Sequence, residues 1–359
     1  MSKASIHGNP SAPARQRRGH GRVTLQDVAE LAGVTSITVS RFLREPEVVA
    51  APTAERIRAA LAQTGYVPHK QAGQLASGHS NMVAAIVPNL ANSIFAETVQ
   101  GMADVLQRAG HELLLASTNY SLEREEDQIR AVLGWHPSAL AVTGRRHSAA
   151  SIAMLRGAQS AGMPIVELWD RHDDSTDGFA QVGFDHAAVG RAMAEHLLAR
   201  GHRRLAYVDS AVAEDFRAYE RGSGFVAAAR AAGASVTRFT AAAGDPFDAG
   251  RHAIDTLLCA RAGASAAAFA NDHLACGALL EAAARGIAVP GRIALIGFGD
   301  FGIGRQLRPT LTTVRPPRYE IGAEAGQMLI DALAEGRAPE HRTLPWTLVE
   351  RESTADTRQ

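Results

Sequence analysis

A cluster of hydroxyl and guanidinium groups near the N-terminus has the chemistry needed to read DNA. Its members follow one another closely, with one apolar residue among them: Thr35, Ser36, Ile37, Thr38, Ser40 and Arg41. Hydroxyl groups and an arginine on an exposed helix face can hydrogen-bond base edges in the major groove and phosphates beside it. Two alternatives stay open, since Ile37 could instead pack locally and Arg41 could contact phosphate alone.

Two helices joined by a tight turn would hold this cluster in place. Thr24 is typical of the residue before a helix, and Gly33 is typical of the end of the same helix about two turns later. A second helix begins at Thr35, and a third over 53–64 supplies the remaining apolar faces. A turn of about three residues with a glycine makes the first two helices cross steeply. Residues 23–68 are therefore predicted to form an all-α helix-turn-helix head.

Charge is distributed unevenly along the 359 residues, although the formal net charge is zero. Residues 1–80 carry ten basic and five acidic side chains, a balance of +5, so the remaining residues carry a balance of −5. A basic head on a mildly acidic body favours nucleic-acid binding by the head alone. Residues 1–22 are rich in Gly, Pro, Ser and Arg and are predicted to form a disordered basic tail.

Composition and missing motifs exclude other classes. No run of about 18 uncharged apolar residues occurs, and residues 1–22 lack the apolar core of a secretory signal, so we expect a cytoplasmic protein without membrane contact. Cys259 and Cys276 are interpreted as reduced core thiols, and neither a metal nor a cofactor is expected. The sequence contains no phosphate-binding loop, nucleophile elbow or zinc-protease motif, so we do not expect an enzyme.

From Met82 onward, short apolar runs alternate with helical segments. The strand-like runs are 83–88, 112–117, 139–144, 164–170, 179–185, 204–210, 266–272 and 293–300. Strands that alternate with helices indicate parallel βαβ units, and eight of them favour two doubly wound parallel sheets. Ligands of such sheets bind at the carboxyl ends of the strands, where two lobes would enclose a cleft.

The head is similar to that of the lactose-repressor (LacI) family of transcription regulators. The run VTLQDVAELAGVTSITVSRFL, the later GYVP at 65–68 and the following QLAS carry the similarity. The resemblance implies that Ser36 and Ile37 select the operator and that Arg41 contacts a base or a phosphate.

Residues 69–77 are too polar to fold alone, and the segment 69–80 resembles the hinge of that family. The resemblance implies a short helix that forms on DNA, with Leu75 from each half of a homodimer inserted into the minor groove. Gly73 would make this helix costlier by about 1 kcal/mol than alanine would, and a plain linker is the alternative. The predicted contacts to double-stranded operator DNA are Thr24, Thr35, Ser36, Ile37, Thr38, Ser40, Arg41 and Leu75.

The body resembles the same family, in which it has the fold of periplasmic sugar-binding proteins. The resemblance implies an effector-binding and dimerisation domain over 81–353. Lobe one would take about 81–180 and 313–340, and lobe two about 182–310 and 341–353. It also implies a homodimeric repressor that a small effector releases from its operator, with a corepressed regulator as the alternative. A stand-alone sugar-binding or transport protein would lack the DNA-binding head.

Polar residues at the predicted strand ends are interpreted as effector contacts. By resemblance, Arg221 bonds sugar hydroxyls or a carboxylate, and Asn271 or its neighbour touches the effector. Gly299 departs from the acidic pair of the family, so Asp300 either accepts hydroxyl hydrogen bonds or is structural. Phe95 lines the pocket or belongs to the core. The full predicted set is Asn89, Phe95, Arg145, Glu167, Asp170, Arg221, Asn271, Asp300 and Arg318.

Extra arginines indicate an acidic effector. Arg145 and Arg146 follow the third strand, and Arg318 occupies a pocket position by resemblance. A planar guanidinium can hold a carboxylate by two parallel bonds, although surface ion pairs are the alternative for each arginine. Glu167 and Asp170 would accept hydroxyl hydrogen bonds and reject a second negative charge. The segments SRFLR, VELWD, GFD and RPPRYEIG resemble the gluconate-utilisation repressors of the family, which implies a sugar acid such as gluconate; another sugar is the alternative.

Overall fold

The structure is a computed structural model of the chain. It describes residues 23–67, 80–90, 94–171, 178–259 and 263–355. The chain divides into two compact units, and the boundary between them falls between residues 79 and 80. The predicted tail 1–22 and residues 69–79 of the predicted hinge, with Gly73 and Leu75, lie outside the described residues.

Three α-helices are described in the first unit. They are α1 (Leu25–Ala32), α2 (Ser36–Arg44) and α3 (Ala51–Thr64), with a 3-10 turn at Pro46–Val48. Gly33 ends α1 with a φ of 62°, a left-handed conformation that glycine adopts without strain. The buried core comes from all three helices: Val28, Ala29, Ala32, Val39, Phe42, Ala54, Ile57 and Ala60. The predicted helix-turn-helix head is confirmed.

The described residues of the second unit form two six-stranded sheets. In chain order the strands are β1 (Met82–Val87), β2 (Glu112–Ser117), β3 (Ala139–Thr143), β4 (Ile165–Asp170), β5 (Ala180–Phe184), β6 (Arg204–Asp209), β7 (Ser235–Thr240), β8 (Ala266–Phe269), β9 (Ala294–Phe298), β10 (Thr312–Arg315), β11 (Arg342–Thr343) and β12 (Thr347–Val349). The first sheet has the order β11-β5-β4-β3-β1-β2 and the second β12-β10-β9-β8-β6-β7. Neighbouring strands run parallel, except that β12 is antiparallel to β10. The predicted α/β class is confirmed.

Helices cover both faces of the sheets. They are α4 (Ala96–Arg108), α5 (Leu122–Leu133), α6 (Ala149–Ser160), α7 (His186–Ala199), α8 (Phe216–Ala231), α9 (Pro246–Cys259), α10 (Asp272–Ala284) and α11 (Arg318–Glu335). In β1, Val83 and Ala85 enter one apolar cluster, whereas Ala84 and Ile86 enter another on the opposite face. The central strands β1, β3, β4, β5, β8 and β9 are thus almost wholly buried, and the loops after their carboxyl ends are left to form a cleft. Within the described part of the chain, none of the helices combines the length and apolar character needed to cross a bilayer.

The chain passes between the two lobes three times. It leaves the first sheet after β5, returns after β10 through α11, and crosses back between β11 and β12. The strand pairing therefore places residues 182–184 and 342–343 in the first lobe and 313–315 in the second, in each case opposite to the predicted bounds. Apolar alternation reveals that a strand exists, but partners distant in sequence decide which sheet the strand joins. The observed lobe boundaries therefore differ from the predicted ones by a few residues.

Helices α7 and α8 of the second lobe touch backbone to backbone. A Cβ atom at Gly190 would lie 1.8 Å from the carbonyl oxygen of Arg221, and one at Gly224 would lie 2.1 Å from that of Ala187. Side chains at these positions would force the helices apart. The glycines therefore fix the position of α8, which faces the cleft.

The replacement Gly190→Ala should destabilise the second unit by about 1–3 kcal/mol, because the two helices must separate to admit the methyl group. The matched control is Gly157→Ala on α6, where an added Cβ meets nothing within 4 Å. The control should be neutral or stabilising by up to about 1 kcal/mol. Urea unfolding followed by tryptophan fluorescence compares the two proteins, and equal stability would contradict the close packing.

Candidate functional site

Helix α2 carries its predicted DNA-reading residues on the outside of the head. Ile37 is 72% exposed and Arg41 is exposed, whereas Val39 and Phe42 on the opposite side are buried. The other predicted contacts within α2 are half-buried: Ser36, Thr38 and Ser40. Ile37 does not pack in the core, which argues against the local-packing alternative. An exposed isoleucine can contact an apolar base edge such as a thymine methyl group.

Two threonines of the predicted set cap helices. The Thr24 hydroxyl accepts from the backbone N–H of Asp27 at 3.3 Å, and the Asp27 carboxylate accepts from the Thr24 N–H at 2.7 Å. The Thr35 hydroxyl accepts from the N–H of Thr38 at 3.3 Å. Such caps hold the N-terminal turns in place, and the N-terminus of a helix favours a phosphate nearby. Thr24 and Thr35 therefore position the first turns of α1 and α2, and the first turn of α2 carries predicted DNA contacts.

In the second unit, a cavity opens where the carboxyl ends of the first sheet face α8. Its lining includes Thr118, Tyr120, Arg145, Arg146, Asp170, Arg217 and Glu220. Arg145 follows β3 and Asp170 ends β4, whereas α8 belongs to the second lobe. Two residues of the predicted effector set, Arg145 and Asp170, are thus brought together, because parallel strands end at the same edge of a sheet.

Ion pairs link the two lobes across this cavity. Oε1 of Glu220 accepts from Nη2 of Arg145 at 2.7 Å and from Nη2 of Arg146 at 3.2 Å. The guanidinium of Arg146 also lies over the ring of Phe216, 4.9 Å from its centroid. Both predicted arginines therefore take part in ion pairs, but these pairs line a cavity instead of an open surface.

Asp170 faces an arginine that sequence reasoning did not single out. Its Oδ2 lies 3.8 Å from Nη1 of Arg217 on α8. Burial raises the pKa of Asp170 to about 6, although the positive charge of Arg217 lowers it. The carboxylate is ionised at neutral pH, where it can accept hydroxyl hydrogen bonds, and it takes up a proton in mildly acidic solution.

Glu167 belongs to a buried cluster behind the cavity. His147 places Nδ1 at 2.7 Å from Oε1 of Glu125 and Nε2 at 3.5 Å from Oε1 of Glu167, and the other Glu167 oxygen accepts from Gln181 at 2.8 Å. Burial lowers the pKa of His147, but the hydrogen bond with Glu125 and the negative charges of Glu125 and Glu167 outweigh it and raise the pKa to about 9. Glu167 therefore holds a charged histidine beside Arg145 and does not line the cavity.

Arg221 is fixed by a neutral histidine. Nε2 of His186 lies 2.9 Å from the carbonyl oxygen of Trp169 and must donate to it, so Nδ1 is the acceptor for Nη1 of Arg221 at 3.0 Å. Burial and the positive charge of Arg221 hold the pKa of His186 well below its ordinary value. Nη2 of Arg221 donates to the carbonyl oxygen of Ala270 at 2.9 Å, and the guanidinium lies over the Phe298 ring at 3.9 Å.

Two predicted residues at strand ends of the second sheet have local partners. The Asn271 side chain accepts from the N–H of Leu274 at 3.0 Å and caps α10. Asp300 is 2% exposed and accepts from Arg315 and Arg351 at 2.5 Å each. These two ion pairs favour the structural alternative for Asp300.

The remaining predicted residues have three different environments. Arg318 donates to Glu97 at 2.8 Å and to the carbonyl oxygen of Gly299, which joins the start of α11 to α4. Phe95 is 3% exposed and packs 5.3 Å from the Trp169 ring, as a core residue does. The half-buried Asn89 side chain donates to Oδ1 of Asn119 at 3.4 Å.

In the described part of the chain, three arginines of the predicted effector set lack a hydrogen-bond acceptor at the same atom, Nε. In Arg145, Arg221 and Arg318 the Nε–H is buried and meets no hydrogen-bond acceptor among the residues that the structure describes. A buried donor without an acceptor costs about 1–3 kcal/mol. Acceptor oxygens supplied by a ligand would remove this cost.

Comparison with known proteins settles the family. One family profile, bacterial regulatory proteins of the lacI family, matches residues 24–69, and a second, a periplasmic binding protein-like domain, matches 194–354. The HTH-type transcriptional regulator GntR of Pseudomonas aeruginosa is 39% identical over 344 residues, 95% of this chain and 98% of that protein. The chain belongs to the lacI family. The GntR regulator of Escherichia coli is 32% identical over 91% of this lacI-family chain and 97% of its own length.

Solved structures agree with this assignment. A LacI family regulator from Silicibacter pomeroyi is 34% identical and aligns with a TM-score of 0.85, covering 92% of this chain and 99% of its own. Transcription regulator GntR from Chromobacterium violaceum is 31% identical, with a TM-score of 0.69 over 76% of this chain and 99% of its own. These proteins are regulators, which confirms the predictions of a DNA-binding LacI-family transcription regulator and of a protein that is not an enzyme.

Sequence reasoning missed four charged residues of the cavity in this lacI-family regulator: Glu125, Glu214, Arg217 and Glu220. Arg217 and Glu220 lie four and one residues before Arg221 on α8. Residues three and four apart share a helix face, so the position of Arg221 could have pointed to Arg217 but not to its immediate neighbour Glu220. The periodic charge pattern was the available signal.

The His147 cluster should make the stability of the regulator fall in alkaline solution. A histidine whose pKa rises from 6.5 to about 9 on folding stabilises the fold fully below pH 6.5 and loses that contribution as the pH rises through 9. At pH 6 the charged histidine contributes about 3 kcal/mol to the free energy of unfolding. The measurement is urea unfolding at pH 6 and pH 10 for the native chain and His147→Gln. The difference between the two proteins should shrink at pH 10, and an equal difference at both values would contradict a charged His147.

Proposed function

We propose that this regulator is a repressor that binds a pseudopalindromic operator as a homodimer and is released by a sugar acid such as D-gluconate. The observation that carries the proposal is the set of buried guanidinium N–H groups without an acceptor among the described residues. The resemblance of SRFLR, VELWD, GFD and RPPRYEIG to gluconate-utilisation repressors supports the same ligand class. Genes for sugar-acid uptake and catabolism are the proposed targets.

The chemistry of a sugar acid matches the groups around the cavity. Its carboxylate would bond the Arg145 guanidinium, because charge-assisted bonds to guanidinium are shorter and stronger than bonds from a neutral hydroxyl. Its hydroxyl groups would donate to the Asp170 carboxylate, which is ionised at neutral pH. A neutral sugar would also donate hydroxyl hydrogen bonds to Asp170, but its uncharged oxygens would be weaker acceptors for the arginines.

Each head is proposed to read one half of the operator. Ser36, Ile37 and Arg41 would enter one major-groove half-site, and Leu75 of the hinge would enter the minor groove at the centre. Two heads related by a two-fold axis read two half-sites of opposite direction. The operator should therefore be a pseudopalindrome.

Effector binding is proposed to change the relation of the lobes and to separate the paired hinges. The Arg145 and Arg146 guanidiniums of the first lobe meet Glu220 of the second across the cavity, so a ligand bound there contacts both lobes. A ligand that prefers the state unable to bind DNA by about 1–3 kcal/mol weakens operator binding about 5- to 150-fold. This modest preference is enough for regulation.

The test is fluorescence anisotropy of a labelled duplex that carries the best palindrome upstream of the regulator's own gene. D-gluconate should release the DNA at fixed salt, and D-glucose should not, because only the acid supplies a carboxylate. Binding that gluconate leaves unchanged would contradict the proposed effector class and keep the DNA-binding role. Binding that gluconate strengthens would contradict release and indicate a corepressor.

Leu75→Ala should weaken specific operator binding by roughly tenfold or more, since a bend that costs a few kcal/mol would lose its apolar wedge. Binding to a scrambled duplex of equal length should change little, because backbone charge dominates it. Leu280→Ala is a matched control, because Leu280 is 42% exposed on α10 of the second unit. Equal losses on both duplexes would argue for a plain linker.

A further inference from the structure

Each of the three described guanidiniums that line the cavity beside α8 already faces a carboxylate. Arg145 and Arg146 face Glu220, and Arg217 faces Asp170. A sugar acid that enters brings one more negative charge into this partly enclosed space. Like charges repel strongly where water is excluded. The ligand carboxylate can therefore gain a full ion pair only if one protein carboxylate gives up its partner.

Glu220 lies where the carboxylate of a bound anion would lie. Its Oε1 is the shared acceptor of Arg145, at 2.7 Å, and Arg146, at 3.2 Å. Two guanidiniums from one lobe thus converge on a single oxygen from the other. The Glu220 side chain is 15% exposed, so it belongs to the cavity wall but keeps access to water. A ligand carboxylate has the same charge and planar shape and would bond the same donors.

Asp170 is less suited to give up its partner. Its short side chain extends from the end of β4 and is 5% exposed, so it has no path to water comparable to that of Glu220. The partners of Glu220 are more accessible, with side-chain exposures of 28% for Arg145 and 46% for Arg146. Arg145 also keeps its buried Nε–H without an acceptor among the described residues. An incoming carboxylate would find a free donor there.

We propose that Glu220 is a built-in competitor for the effector's carboxylate and thereby sets the affinity and charge selectivity of the cleft. The inference rests on the proposed function, because it takes the effector to be a sugar acid. Without effector, Glu220 occupies Arg145 and Arg146. A sugar acid takes over these donors, and the Glu220 carboxylate turns towards water. A neutral sugar gains no ion pair from this exchange, so it does not displace Glu220.

The test is isothermal titration calorimetry of the full chain and of Glu220→Gln with D-gluconate and with the neutral D-glucitol. The variant keeps the size of the side chain and removes the competing charge. D-gluconate should bind it about tenfold more tightly, as expected for one partly screened charge removed from beside the ligand carboxylate. D-glucitol binding should stay as it is in the unaltered chain.

A matched control changes the same residue type away from the cleft. Glu281 pairs with Arg251 on the surface of the second lobe, and its neutralisation alters the net charge equally. Glu281→Gln should leave the D-gluconate affinity unchanged. If Glu220→Gln unfolds at a lower temperature than the unaltered chain, Glu220→Ala is measured as a second variant without the charge. It should show the same increase in D-gluconate affinity.

The outcomes separate this inference from the proposed function. If the unaltered chain binds D-gluconate and Glu220→Gln binds it equally or more weakly, the competitor role is wrong and the proposed effector stands. Equal tightening of D-gluconate and D-glucitol would also overturn the competitor role, because the change would act on the lobes and not on charge. Binding of D-gluconate by the variant alone would support the competitor and overturn the proposed inducer. No binding by either protein would overturn both.

Discussion

The burial of charge is the constraint on which the cleft depends. An ionised group taken out of water must be paired or must lose its charge, and the side chains around α8 show both outcomes. His147 stays charged because two glutamates hold it, and His186 stays neutral because it is buried and lies beside the positive charge of Arg221. These contacts therefore fix the orientation and the charge state of each side chain before a ligand binds. The close backbone contact between α7 and α8 at Gly190 holds α8 in place, and with it the orientation of the side chains that α8 carries.

The head could be predicted from sequence because its determinants are local. Thr24, Gly33 and Thr35 mark helix ends through bonds that span only a few residues, and the structure has the helix ends there. The strand-like runs of the body were predicted for a similar reason, since a strand buried on both faces is a continuous apolar run. Ala139–Thr143 and Ile165–Asp170 are examples in which every residue is buried.

Prediction was weaker wherever partners distant in sequence decide the outcome. The strand-end position of Asp300 suggested a ligand contact, yet Arg315 and Arg351, 15 and 51 residues further on, take its two oxygens. Glu167 was expected to face the effector, but it turns to His147 behind the cavity. Neither pairing leaves a pattern in a single sequence. Glu220 was missed because the face that α8 turns to the cleft is set by packing across the lobes.

The head separates the side chains that fold it from those on its outer face. Val39 and Phe42 of α2 are buried, whereas Ile37 on the same helix is 72% exposed. A substitution at an exposed position without partners usually changes stability by less than about 0.5 kcal/mol. Residue 37 is therefore free to vary during evolution without loss of the fold. Duplicated copies of such a gene could acquire new target sites through a few surface changes while they keep the same sensor.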